Sequence, residues 1–257
     1  MRVLRVFACL AASVLQVGAA AAAYEGFAYP GGSSLAGQAG GSGWGDSWDG
    51  SKSALAANIG TGLAFGSLST LPGSVSSDPP VSGQVAFLSR QLGASIGADN
   101  TTTFLSFLLR PDPGFGFYGG VNLEGLFIGK SGPTTTYGIE GPVNDIDSSK
   151  VAATSGRTVL LVLRADFLPG NDRFSLFVDP SPGLPEPSIA DSVKTDFDLP
   201  PVNFVFVNNA GGWTTDEIRI GSTFASVTPV PEPAILYFFA VALPLLGLSV
   251  HRCRARG

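Results

Sequence analysis

The chain has 257 residues, 44% of them hydrophobic, and a formal charge of −5, a length that predicts one or two domains. Residues 24–228 hold nineteen of the twenty acids but ten of the fifteen Lys and Arg, so this middle piece carries −9; a surface of that sign repels nucleic acid and anionic lipid, and nucleic-acid binding is excluded. Cys9, Cys253 and the single histidine, His251, fall outside the middle piece, which excludes from it a disulfide, a Ser-His-Asp triad, a Cys-His dyad and an ordinary zinc site.

In chain order, Arg2 and Arg5 precede an apolar stretch from Val6 to Val17 and then an alanine run ending at Ala23. A basic start, a short apolar region and small residues at an A-x-A-like site predict a secretory signal peptide over 1–23, with cleavage near Ala23–Tyr24. The apolar stretch is shorter than the roughly 20 residues that span a bilayer. Residues 24–80 are rich in Gly, Ser and Ala and predict turns between short strands, with Trp44 and Trp48 available to pin them. From Gln84 on, short β-branched and aromatic runs alternate with Gly, Pro, Asn and Asp: "VAFLS", "TTFLSFLL", "GFGFYGGVNLEGLFIG", "TTYGIE", "TVLLVLRADF", "DRFSLFVDP", "NFVFVN" and "DEIRIGSTFASV". Phe174, Leu176 and Val178 share one face by period two, as do Ile218 and Ile220, with Glu217 and Arg219 opposite them. Strands this short, punctuated this often, predict an all-β antiparallel sandwich over 24–228. "SIADSVKTDF" (188–197) allows one helical turn at most, and "DPSPGLPEPS" (179–188), with four prolines, predicts an exposed loop. Its Pro-Glu-Pro triplet, 185–187, has no apolar run behind it and is read as coincidence.

The opening "YEGFAYPGGSSLAGQAGGSGWGDSW", the central "TVLLVLRADF" and "DRFSLFVDP", and the closing "TDEIRIGSTFASVTP" resemble the lectin/glucanase-like (concanavalin A-like) jelly rolls, akin to laminin-G domains, of bacterial exported proteins. The resemblance covers most of 24–229 and implies two packed antiparallel sheets. It also raises the question of a glycosidase, which needs two carboxyl groups facing one cleft about 5–9.5 Å apart. The E-x-D-x-x-E strand pattern of the glucanase relatives is absent. Asp216 and Glu217 are adjacent and are expected on opposite strand faces, while "KTDFDLPP", with Asp196 and Asp198, reads as a strand leading into a loop. No catalytic residue is assigned and no enzyme is expected. "GFGFYGG" lacks the lysine and the strand-loop-helix setting of a phosphate cradle.

Two binding sites are weighed. In "VNDIDSSK", Asn144, Asp145 and Asp147 offer the hard oxygens calcium favours, and relatives of the fold often bind it, but EF-hand spacing is absent; a polar turn with a capping aspartate is the preferred reading. No other cofactor is expected. Trp213, in the Gly-rich "NNAGGWTTDE", is the expected glycan contact if its ring is exposed, against the alternative that it fills the core.

The C-terminal piece, 229–257, has three parts: Pro231, Glu232 and Pro233; an uncharged run over about 234–250; and a basic tail, 251–257, with Arg252, Arg254 and Arg256. Seventeen uncharged residues make a helix of about 25 Å, at the short end for a bilayer core. Pro244 is tolerated in a membrane span, and the arginines keep the end in the cytoplasm. The order Pro-Glu-Pro, apolar run, arginines resembles the PEP-CTERM sorting signal. That resemblance implies an exosortase as partner, export to the cell envelope with the acidic domain outside the cytoplasm, release to the surface or matrix after processing, and an association with extracellular polysaccharide. The expected function is a non-catalytic surface or biofilm-matrix component, with a carbohydrate-binding lectin-like module as the alternative and a glycan hydrolase third.

Overall fold

The computed structural model describes residues 22–231. Fourteen strands occupy Ala23–Glu25 (β1), Ala57–Gly60 (β2), Ser74–Ser77 (β3), Ala86–Ile96 (β4), Thr101–Pro111 (β5), Gly119–Leu123 (β6), Leu126–Lys130 (β7), Thr136–Glu140 (β8), Ile146–Ala152 (β9), Val159–Phe167 (β10), Arg173–Val178 (β11), Ser192–Lys194 (β12), Val202–Asn209 (β13) and Trp213–Gly221 (β14). They form two antiparallel sheets. One runs β12-β11-β10-β5-β14-β3-β2, with β1 also on β14; the other runs β4-β13-β6-β7-β8-β9. Among the described residues the last element is a four-residue helix, α1 (Phe224–Val227), its Thr223 cap and Ser226 satisfying each other's backbone N–H groups.

Alternation decides which side chains enter the space between the sheets. Leu105, Phe107 and Leu109 of β5, Leu161, Leu163 and Ala165 of β10, and Phe174 and Leu176 of β11 meet Val121, Ile128, Ile139, Val205 and Val207 from the other sheet in one core. The intervening residues of β5 and β10, among them Phe104, Leu108, Leu160 and Val162, face the other way. There Leu63, Leu68 and α1 cover them in a second, smaller core. Near-continuous apolar runs such as "TVLLVL" are therefore strands buried on both faces. The Gly-rich stretch is stitched to the edge of β4 by isolated bridges at Trp44–Leu92 and Asp49–Ser89, which covers that exposed edge.

Three local expectations change. The 188–197 stretch holds strand β12 rather than a helical turn, and "VNDIDSSK" becomes a single 3-10 turn, Pro142–Asn144, leading into β9. The end of the "DEIRIGSTFASV" run leaves the sheet as α1. Of the expected export segment, 1–21 lie outside the described residues, while Ala23 already belongs to the sheet: it pairs with Ile220, and the preceding Ala22 N–H donates to the Ile220 carbonyl (2.6 Å). Among the described residues no helix is long and apolar enough to cross a membrane. The 234–250 run, with Glu232, Pro233 and Arg252, Arg254 and Arg256, lies outside the described residues; Pro231 is exposed at their end.

Candidate functional site

Trp213 is not the exposed ring its Gly-rich surroundings suggested. Its side chain is fully buried, edge-on to Phe115 with ring centroids 4.9 Å apart, and its indole N–H donates to the Gly116 carbonyl at 3.3 Å. A Cβ on Gly119 would sit 2.0 Å from the ring, so that glycine exists to admit the indole. A sugar cannot stack on it. Trp48 is buried as well, and Trp44 is half-buried beneath the Arg90 guanidinium, 5.0 Å from its ring centroid.

The two aspartates weighed as calcium ligands are held by a lysine. Asp145 and Asp147 do come together, and Asp196 joins them, but around the Nζ of Lys194, at 2.8, 3.3 and 3.0 Å. Burial works against the ammonium's charge, yet the hydrogen bonds to Asp145, Asp196 and Asp147 outweigh it and hold its pKa above the ordinary value. An internal cation stands where calcium would, and it ties the edge strand β12 of one sheet to β9 of the other.

Asp216 and Glu217 are also placed differently from the parity argument. A bulge interrupts the pairing of β14 with β5 between Asp216 and Arg219, with Glu217 at φ +56°. One extra residue turns both carboxyls toward the segment 63–71. The Leu63 N–H donates to Asp216 (2.8 Å), and the Leu71 N–H and the Tyr24 hydroxyl donate to Glu217 (2.5 and 2.9 Å), which also pairs with Arg219. Both acids are fully buried and serve as anchors for a loop backbone.

What the surface does offer is a groove of about 510 Å³ on the outer side of β10, β11 and β12, within the size range of small-ligand sites. It forms because the proline-rich loop between β11 and β12 folds back over the sheet. The loop's ends are fixed: Asp179 accepts the Leu160 N–H (3.0 Å) and pairs with Arg157, and Asp191 accepts the Val178 N–H (2.8 Å). Its Pro185-Glu186-Pro187 triplet, with two φ angles fixed by proline rings, aims Glu186 at Arg164. The Arg164 guanidinium donates from Nε to both oxygens of Asp166 (3.0 Å each) and from Nη1 to Glu186 (3.2 Å). Those hydrogen bonds, Asp166 foremost, raise its pKa further above the ordinary value. Phe177 and Ser175 form the floor, Ile189 and Val193 an apolar wall, and Arg173 the rim. Arg173 has no ion-pair partner among the described residues. Sequence reasoning missed this site. The available signal was the alternation of Arg164 and Asp166 on β10, placing two charges on one face opposite a loop that carries a third.

No protein-family model matches the chain, and no curated protein matches it. Among solved structures it is similar to the T. cruzi calreticulin globular domain (13% identity over 64% of this chain and 79% of that one, TM-score 0.41). It is also similar to an alginate lyase, vAL-1, from a Chlorella virus (8%, 64% and 92%, 0.34). A third likeness is to the metal-free carbohydrate recognition domain of Emp46p (11%, 65% and 88%, 0.29). Likenesses of this degree leave function to the residues themselves.

Proposed function

We propose that this chain is an exported, non-catalytic binding module of the cell envelope, a concanavalin A-like jelly roll that takes a saccharide in the groove beneath its proline-rich loop. The observation that carries the reading is the state of the groove's acids. Asp166 and Glu186 both accept hydrogen bonds from Arg164. A glycosidase needs one acid free to protonate a leaving oxygen and a second facing the sugar across an open gap; here a guanidinium fills the gap. The rest of the groove lining suits binding: the free guanidinium of Arg173, the Ser175 side chain at the floor, and the apolar wall of Ile189 and Val193. Fixed polar groups on an apolar wall are the ordinary makeup of a small-ligand site.

The expected result is saccharide binding on a glycan array that falls at least tenfold in Arg173→Glu, which reverses the rim charge, and in Ser175→Trp, which fills the floor. Binding unchanged in both variants sinks the groove assignment, and release of new reducing ends from any bound glycan sinks the non-catalytic one. A chain that binds nothing on the array fits the second reading, a structural component of the surface matrix.

The proposal includes sorting by an exosortase at the C-terminal Pro-Glu-Pro, for which the support is the three-part order of residues 231–256. Glu232→Ala and a chain ending at His251 are each expected to change the mass of the mature protein recovered from its native envelope. Parental mass and location in both would reduce the segment to a plain anchor.

A further inference from the structure

The last described residues do not trail free. They run along the outer side of the eight-stranded sheet, where the Ser106 hydroxyl donates to the Val227 carbonyl (2.6 Å) and the Phe224 ring stands edge-on to Phe104 and Phe177. The next two carbonyls are clamped by separate loops. Thr228 accepts the Gly183 N–H (3.2 Å) and Pro229 accepts the Ser69 N–H (2.8 Å). The chain therefore leaves the domain at a fixed place and in a fixed direction.

Exposed apolar side chains gather around that place. Leu184 is 60% exposed, Leu71 44% and Val230 38%. They come from three segments that meet at the exit: Leu184 follows Gly183, Leu71 lies two residues beyond Ser69, and a Cβ on Gly183 would be 2.8 Å from Val230. Isolated exposed leucines need no explanation, but a ring of them assembled by long-range contacts marks an interaction surface.

The chain beyond the exit says what that surface meets. Only Glu232 and Pro233 separate Pro231 from the uncharged run that begins at Ala234. Even fully extended, this link covers about 10 Å, close to the depth of one headgroup layer, roughly 5–7 Å. A link so short cannot hold the domain away from a bilayer that contains residues 234–250. We propose that the exit face, with Leu71, Leu184 and Val230, lies on the lipid surface and sets the domain's orientation there. This rests on the reading of 234–250 as a membrane anchor. The contact is apolar, since a domain of net charge −9 is repelled by anionic headgroups.

The test uses the full chain, exported in a bacterial host that lacks the sorting enzyme, with Cys9→Ser and Cys253→Ser. A fluorophore is placed on Leu184→Cys or, as a control on the outer face of the opposite sheet, on Ser148→Cys. Both positions are exposed, so neither substitution disturbs the core. Spin-labelled phosphatidylcholine added to the isolated membranes is expected to quench the Leu184→Cys label at least threefold more than the Ser148→Cys label. Equal quenching at the two positions, in protein that resists alkaline carbonate extraction, overturns the orientation and leaves the anchor standing. Protein extracted by carbonate overturns the anchor reading, and the orientation with it.

Discussion

Glu25→Ala is expected to destabilise the fold by about 3–5 kcal/mol, the cost of breaking a buried ion pair from one side. The Glu25 carboxylate is 1% exposed and accepts four hydrogen bonds: from the Phe27 N–H (2.8 Å), the Tyr29 hydroxyl (2.6 Å), the Trp48 indole N–H (3.1 Å) and Arg90 Nη1 (2.5 Å). Arg90 is equally buried, donates from Nε to the Asp46 carbonyl (2.8 Å) and lies against Trp44 and Trp48. This one carboxylate therefore ties the Gly-rich opening stretch to β4. Burial, followed by the hydrogen bond to Glu25, pushes the Tyr29 hydroxyl up to about 12. Truncation strands the guanidinium in a dry site and leaves the other three donors unpaired. Urea unfolding should show the loss as a lower midpoint at unchanged slope. The double variant Glu25→Gln, Arg90→Met removes both charges at once and should be milder than Glu25→Ala. A single-variant loss below about 1 kcal/mol, within the range of exposed pairs, would refute the role given to this pair.

The second large effect is on pH. Burial, and then the charge of neighbouring Glu217, pushes the Asp216 carboxyl up to about 8, against the N–H groups of Leu63 and Glu217 that pull it down. Its folded pKa lies above its unfolded value of 3.8, so the folded state holds a proton through an interval where the unfolded chain has lost it. The sign follows from proton linkage. The stability this carboxyl contributes is complete below about pH 4 and is lost as the pH rises toward 8. The change is about 6 kcal/mol at most, since one pKa unit corresponds to about 1.4 kcal/mol. Denaturant unfolding at pH 4.5, 6 and 7.5 should show stability falling across the series. Asp216→Asn cannot titrate and should remove most of the fall, whatever it costs in absolute stability. Parallel pH profiles for parent and variant would show that another group is responsible.

Much of the fold could be read from residue order, and the limits of that reading have a physical cause. The run "DRFSLFVD" carries its own period and puts Phe174, Leu176 and Val178 on one face, and that face meets the core. The bulge in β14 has no local signature. It turns Asp216 and Glu217 the same way because they hold backbone N–H groups 153 and 146 residues distant in sequence. Trp213 reads as a loop residue by its glycine neighbours, but Gly119, on a different strand, makes the hole it fills. Asp145 and Asp147 read as part of a polar turn, and nothing near them in the sequence announces Lys194, 49 and 47 residues on, which draws them together. The groove is of the same kind: Arg164 and Asp166 could be assigned to one face of β10, whereas the return of Glu186 across a proline-rich loop depends on tertiary contacts.

The position of β14 also governs when the protein can fold. It lies inside the eight-stranded sheet, with β5 along one edge and β1 and β3 sharing the other. Its partners are at least one hundred residues earlier in the chain, so the loops that bring them together are long and this pairing is slow. Ala23 to Glu25 are made first and wait for Ile218 to Ile220, made nearly last. A growing chain short of residue 213 has an open slot where its central strand belongs and cannot seal its core. The polypeptide thus cannot complete its core until almost all of it has been synthesised, a delay that the export proposed above would require.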